Sequence, residues 1–289
     1  MHYEGTIIRP PSEAFSIILQ ATVECSYNKC TFCGAFKEKH FRVKSDEEID
    51  DDLQFAARHC RRQNRVFLAD GDVLILPQKR LSALLARIRN ALPWIKKISL
   101  YGNARSIRAK TAQDLVVLKE QGLDRIYMGL ESGCDEVLEI VGKGETSESM
   151  VEAAKKVNDS GMFLSATTLL GLGGVELSEK HARQSAETLN RMAPRQVAAL
   201  TLMPMPNTLL GRQFRNGLFR LPDQQGILRE LRILVTGLEL SHSMFHANHA
   251  SNYLPIEGIL SKDKDRIIAA IDSALAGQMP LVPENLRAL

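Results

Sequence analysis

The chain lacks a fourth cysteine at the place where one would close a metal site. Cys25, Cys30 and Cys33 crowd into nine residues, Cys-Ser-Tyr-Asn-Lys-Cys-Thr-Phe-Cys, while Cys60 and Cys134 stand apart from them and from each other. Five cysteines in 289 residues, odd in number and without regular spacing, exclude a disulfide framework. They point to a reducing, cytoplasmic compartment with thiols kept for metal. No run of eighteen apolar residues occurs, so no membrane span is expected. The opening Met1-His2-Tyr3-Glu4-Gly5 is not a basic stretch followed by an apolar one, so no secretory leader is expected. The formal charge of +3 is too small to argue for a nucleic-acid partner by itself. Low-complexity linkers, charge blocks and short internal repeats are missing too.

What is present is ordinary in bulk: 44% apolar and 25% charged residues, enough to build a sizeable core. Strand and helix signals alternate along the chain. Phe15 to Ala21, Val66 to Ala69, Lys97 to Tyr101, Arg125 to Leu130, Phe163 to Leu170 and Val197 to Met203 read as six strands. Helices are expected between them. Ser45-Asp46-Glu47-Glu48 forms a capping box and Thr111 to Asp114 a second capping pattern. Cys60 continues the helical spacing of Ile49, Leu53 and Ala56, which predicts a core position for it.

Six strand–helix units argue a parallel sheet with helical crossovers. Polar or glycine residues follow the carboxyl ends of strands two to six, as in a barrel whose active site lies at that end. The expected fold is therefore α/β, a partial (β/α)6 TIM-type barrel over residues 1–210. Residues 211–289 form a helical C-terminal extension packed on it. That extension contains a stretch rich in histidine, His242 to Tyr253.

The three clustered cysteines follow the first strand, where a loop at the top of a barrel belongs. Three thiolates leave a metal site with an open position. His40 could instead complete a closed Cys3His zinc site, and the loop alone leaves both readings open.

The cluster, with Phe32 between its last two cysteines, resembles the motif of the radical S-adenosylmethionine (radical SAM) superfamily. The first gap holds four residues where three are usual, a departure that affects the path of the loop. Gly129-Leu130-Glu131-Ser132-Gly133, Lys143-Gly144 and Leu170-Gly171-Leu172-Gly173-Gly174 extend the resemblance across most of the chain. They are similar to the group containing oxygen-independent coproporphyrinogen oxidases and tRNA-modifying cores. The resemblance implies that Cys25, Cys30 and Cys33 hold a [4Fe–4S] cluster whose fourth iron chelates S-adenosylmethionine. Reductive cleavage would yield a 5′-deoxyadenosyl radical that abstracts hydrogen from substrate, the cofactor carrying the hard chemistry.

By the same resemblance Asp70, Gly71 and Asp72 stand where the family receives the methionine ammonium, and a carboxylate there would face a cation. Glu131 and Ser132 match positions that contact the ribose or the methionine end. Phe32, Leu170, Gly171 and Leu202 would line the adenine slot. Asn103 and Arg105 are candidate pocket residues, and His246, His249, Asn252 and Tyr253 candidate substrate contacts. A flavodoxin or ferredoxin is the implied electron donor.

Plainer readings stand beside these. Asp-Gly-Asp is good turn chemistry anywhere, Glu131-Ser132-Gly133 could cap the next helix, and an aromatic- and histidine-rich stretch can be packing plus surface. Cys60 and Cys134 read as buried thiols. No second cysteine cluster exists to hold an auxiliary cluster, and the barrel starts too early to leave room for a preceding cobalamin domain. The expected substrate is a small organic molecule. Modification of RNA or protein, or a non-enzymatic zinc or iron–sulfur module, are the alternatives.

Overall fold

The computed structural model describes residues 1–37 and 39–288. Their main sheet has eight strands, neighbours following one another in chain order, beside a two-stranded ribbon. Two compact units divide the chain: Met1–Asn28, Ala35–Met128 and Lys155–Leu164 in the first, Lys29–Gly34, Gly129–Ala154 and Ser165–Leu289 in the second.

In the first unit β1 (Ile17–Gln20) leads into β2 (Thr22–Val23), which pairs with β3 (Arg42–Val43). Helix α1 (Asp46–His59) starts at the expected box, with Ser45 and Glu48 capping each other. It ends one residue short of Cys60, which is the half-buried C-cap. The expected core position for Cys60 is therefore not reached, because the helix stops before its apolar face comes round again.

Strand β4 (Arg65–Ala69) pairs in parallel with β1 and with β5 (Lys97–Tyr101). Val66, Phe67, Leu68 and Ala69 are all fully buried, as a parallel strand covered on both faces requires. Helix α2 (Gln78–Ala91) buries Leu81, Leu84, Leu85 and Ile88. Short α3 (Ala104–Arg108) and α4 (Ala112–Glu120) follow, the latter opened by a Thr111–Asp114 capping box. Strand β6 (Leu123–Glu131) then pairs with β5 in parallel.

Helices α5 (Asp135–Ile140) and α6 (Ser147–Asp159) precede β7 (Phe163–Leu170). In the second unit α7 (Gly174–Met192) leads to β8 (Gln196–Thr201), parallel to β7. Cys134 is fully buried there among Val137, Val141, Leu172, Leu202 and Leu210, with Phe32 packed against them.

Beyond α8 (Leu209–Arg215) and α9 (Gln224–Gly237), the histidine-rich stretch forms β9 (Met244–Ala247), parallel to β8. Strand β10 (Ile256–Ile259) returns antiparallel to β9, and α10 (Leu260–Leu275) follows. The extension thus adds two strands to the sheet besides its helices. Their short lengths, four residues each, are too brief for an alternation signal in sequence. No helix is long and apolar enough to cross a membrane among the described residues.

Candidate active site

The three clustered cysteines lie on the segment after β2, all partly exposed and none in a disulfide. In the first unit the turn after β4 is pressed against this segment. A Cβ on Gly71 would come within 2.9 Å of Cys25 Cβ and 3.0 Å of its Cα, so only glycine allows the approach. The two acids flanking Gly71 differ in what they do. Asp72 is wholly buried and accepts four hydrogen bonds: from Ser26 Oγ (2.8 Å), Asn103 N (3.3 Å), Asn103 Nδ2 (2.6 Å) and Ser106 Oγ (2.5 Å). Three of these bonds fall on Oδ2 and the longest on Oδ1, so both oxygens are engaged. Asp72 is therefore spent on holding the segment of Ser26 to the start of α3.

Asp70 is buried too, but only its Oδ2 is engaged, by Gln20 Nε2 at 2.7 Å. Its Oδ1 has no hydrogen-bond partner, and neither do Glu24 Oε2 and Thr22 Oγ1. Burial pushes the Asp70 carboxyl up to about 6, against the pull of the Gln20 hydrogen bond, the Glu24 backbone N–H and the Lys44 ammonium. An orphaned buried acceptor costs free energy unless a donor arrives. Glu24 carries its carboxylate from a backbone at φ 65°, a conformation rare for a residue with a Cβ. Asn103 is the N-cap of α3 as well as a donor to Asp72. The Arg105 guanidinium lies over the Tyr27 ring at 4.9 Å, on the same segment as the cysteines.

In the second unit Thr31 N donates to Val141 O (2.9 Å), and Leu210 N donates to Thr31 O (2.9 Å). These bonds fix the Cys30–Cys33 stretch. Lys143, two residues past Val141, pairs with Glu131 at 3.1 Å. Burial pulls the Lys143 ammonium down, but Glu131 and the thiols of Cys30 and Cys33 outweigh it and hold its pKa above the ordinary value. Glu131 itself sits at φ 62°.

Ser132 is fully buried and faces inward: its Oγ contacts His181 Nδ1 at 2.8 Å and accepts from Cys134 N at 2.9 Å. A Cβ on Gly133 would meet Gln184 O at 2.4 Å, so α7 packs directly on the Glu131-Ser132-Gly133 turn. Leu170 is buried and its carbonyl accepts from Leu202 N at 2.9 Å. Gly171, at φ 83°, donates its N–H to Glu230 Oε1 at 2.6 Å.

The histidine-rich stretch is mainly tied to the fold. Asn252 receives the Thr201 hydroxyl (2.8 Å) on its Oδ1 and donates to Ala199 O (2.8 Å). Tyr253 donates to Glu284 (2.6 Å), and Arg287 stacks on its ring. His249 Nδ1 is engaged with Ser251. His246 is half-buried on β9, in register with Ala198 and Glu257.

Residues 19–186 match the Radical SAM superfamily. The chain belongs to that superfamily. Heme chaperone HemW of Bacillus subtilis (strain 168) is 23% identical over 189 residues, covering 65% of this chain and 49% of HemW. The 4′-phospho-dehydrooxetanocin synthase of Priestia megaterium is 27% identical over 168 residues, 52% of this chain and 22% of the synthase. The chain spans about half or less of the length of these curated relatives. Among solved structures, the radical SAM coproporphyrinogen III oxidase HemN of Escherichia coli superposes with a TM-score of 0.59 at 17% identity, over 76% of this chain and 52% of HemN. That likeness places the mostly parallel sheet of this radical SAM chain in the partial TIM-type barrel class.

Sequence reasoning singled out Asp70, Gly71, Glu131 and Ser132 but passed over Gln20, Glu24, His181 and Glu230. Two of those left a trace. Glu230 stands on the stripe of Ile227, Leu231 and Leu234, and His181 on that of Ala182, Ser185 and Leu189. A titratable group on an apolar stripe signals a buried partner.

Proposed function

We propose that this chain is a radical SAM enzyme in which Cys25, Cys30 and Cys33 hold a [4Fe–4S] cluster and the remaining iron takes S-adenosylmethionine. The donor set fits. Three thiols without a fourth suit a cluster with one open iron. Among the described residues no three His, Cys, Asp or Glu side chains are gathered to hold a single metal ion. A cluster does not ask for that, because each thiolate binds a different iron. When bound, cluster and S-adenosylmethionine supply a 5′-deoxyadenosyl radical for hydrogen abstraction.

The observation that carries the reading is the orphaned, buried Oδ1 of Asp70 beside a glycine pressed on Cys25. A desolvated carboxylate with one oxygen unpaired suits an arriving ammonium, so Asp70, with Glu24 beside it, would receive the methionine amine. Gly71 gives the close approach. Asp72 acts through the turn, not on the ligand. Glu131, held by Lys143, and the Ser132 backbone would orient the ribose or methionine end. Phe32, Leu170, Gly171 and Leu202 would exclude water around adenine. Arg105 orients the Tyr27 segment. His246 and His249 are the residues of β9 and its following turn to test against substrate. Residues 1–210 would act as the catalytic barrel and 211–289 as its extension.

The substrate we favour is a small organic molecule, and the electron that reduces the cluster would come from a flavodoxin or ferredoxin. RNA as substrate would show as binding that weakens steeply with salt. The test is anaerobic reconstitution. The reading expects iron and sulfide in equal amounts and 5′-deoxyadenosine on reduction with S-adenosylmethionine present. One zinc and no cleavage would sink it.

A further inference from the structure

We propose that Glu230 is a positioning residue for S-adenosylmethionine, clamping the Gly171 loop from a helix outside the matched family segment. The inference rests on the reading of Leu170 and Gly171 as cofactor-binding. Glu230 lies on α9, beyond residues 19–186. Its Oε1 accepts the Gly171 N–H at 2.6 Å, and its Oε2 accepts the Ser178 hydroxyl from α7. Ile227, one turn earlier on the same helix face, would meet a Cβ on Gly171 at 2.9 Å. The loop is thus held by one apolar and one charged contact from a single face of α9.

The same carboxylate lies beside the histidine that reaches the Glu131-Ser132-Gly133 turn. Its Oε1 is 3.4 Å from His181 Nε2. His181 Nε2 is 3.2 Å from Leu169 O and its Nδ1 is 2.8 Å from Ser132 Oγ. With the proton on Nε2, His181 donates to Leu169 O and accepts from Ser132. Burial holds its pKa down to about 4, which keeps the ring neutral. His181 therefore links the Leu169 carbonyl to Ser132, with Glu230 beside it, and both side chains are 1% exposed. A buried carboxylate is costly unless its bonds are needed, and the bond it makes to backbone is the one that sets Gly171.

The test uses reconstituted holoenzyme and three variants. Glu230→Ala removes the clamp, Glu230→Gln keeps an acceptor of the same shape, and Ser178→Ala loosens only Oε2. Two quantities are read: hydrogen exchange at the Gly171 amide, and S-adenosylmethionine affinity. Expected are faster Gly171 exchange and affinity weakened about tenfold in Glu230→Ala, near-native values in Glu230→Gln, and an intermediate effect in Ser178→Ala. Unchanged exchange in folded Glu230→Ala overturns the clamp. Faster exchange with unchanged affinity overturns the positioning role. If Glu230→Ala does not fold, the graded order of Gln above Ser178→Ala in both readouts decides instead, and equal values for them overturn it. Wild-type protein that binds no S-adenosylmethionine fails the proposed function and the positioning role with it, while exchange still reports whether the clamp exists.

Discussion

Lys143 Nζ lies 3.1 Å from Glu131 Oε1, and the side chains are 14% and 16% exposed. The pair holds a glutamate whose backbone is left-handed at φ 62°. It also explains Gly129, where a Cβ would stand 2.0 Å from Glu131 Oε1 and 3.3 Å from Lys143 Nζ. Removing one partner leaves the other poorly solvated. Lys143→Met should lower unfolding free energy by about 3 kcal/mol. Urea denaturation of Lys143→Met, Glu131→Gln and the double variant checks it. A double variant as unstable as the sum of the singles would show that the two side chains do not couple.

Asp70 and Asp72 should respond differently to the same change. Asp72→Ala strands the donors of Ser26, Asn103 and Ser106, a loss of about 3 kcal/mol. Asp70→Asn should spare stability and weaken S-adenosylmethionine binding by about tenfold or more, the scale of one charge-assisted hydrogen bond. Calorimetric titration and chemical denaturation on both variants separate the roles. Weaker ligand binding in a fully stable Asp72→Ala would reverse the assignment.

Gly133→Ala should be poorly tolerated. The new methyl would meet Gln184 O at 2.4 Å and Ser185 Cα at 2.7 Å, backbone of a packed helix that cannot swing aside. A cost of about 3 kcal/mol is expected. A melting temperature equal to wild type would mean that α7 does not press on the turn.

The buried carboxyl of Glu230 gives the apoprotein a pH signature. Burial raises its pKa to about 7, above its unfolded value near 4.3. The folded state then binds the proton more tightly, so stability falls as pH rises between these values. His181, lowered to about 4, acts with the opposite sign: its contribution is lost as pH falls below about 6.5. Glu230→Gln removes the first slope only. Relative to wild type it should gain on the order of 1 to 2 kcal/mol between pH 5.5 and 7.5. A flat difference between the two proteins across that range would show that Glu230 titrates normally.

Much of the barrel was legible because each of its six strands is apolar and bounded by glycine, polar or capping residues. Phe163–Leu170 and Lys97–Tyr101 appear at the expected bounds. Helix α7 begins at Gly174, the last glycine of a run that reads as loop. Strands β9 and β10 were not legible: four residues of Met-Phe-His-Ala gain their strand character from pairing with β8, a non-local contact. At the site, residue types could be read from the motifs but not their allegiance. Nothing in Asp-Gly-Asp tells that one carboxylate is held through both oxygens by Ser26, Asn103 and Ser106 while the other keeps an unpaired oxygen. That difference is set by α3 arriving next to Asp72.

The most direct test of the account is electron paramagnetic resonance of the reduced, reconstituted protein with and without S-adenosylmethionine, in wild type and Cys30→Ala. A [4Fe–4S] signal that changes when S-adenosylmethionine is added is expected in wild type, with no such change in Cys30→Ala, whose fold is kept. A wild-type spectrum without a cluster signal, or one that S-adenosylmethionine leaves unaltered, would contradict it.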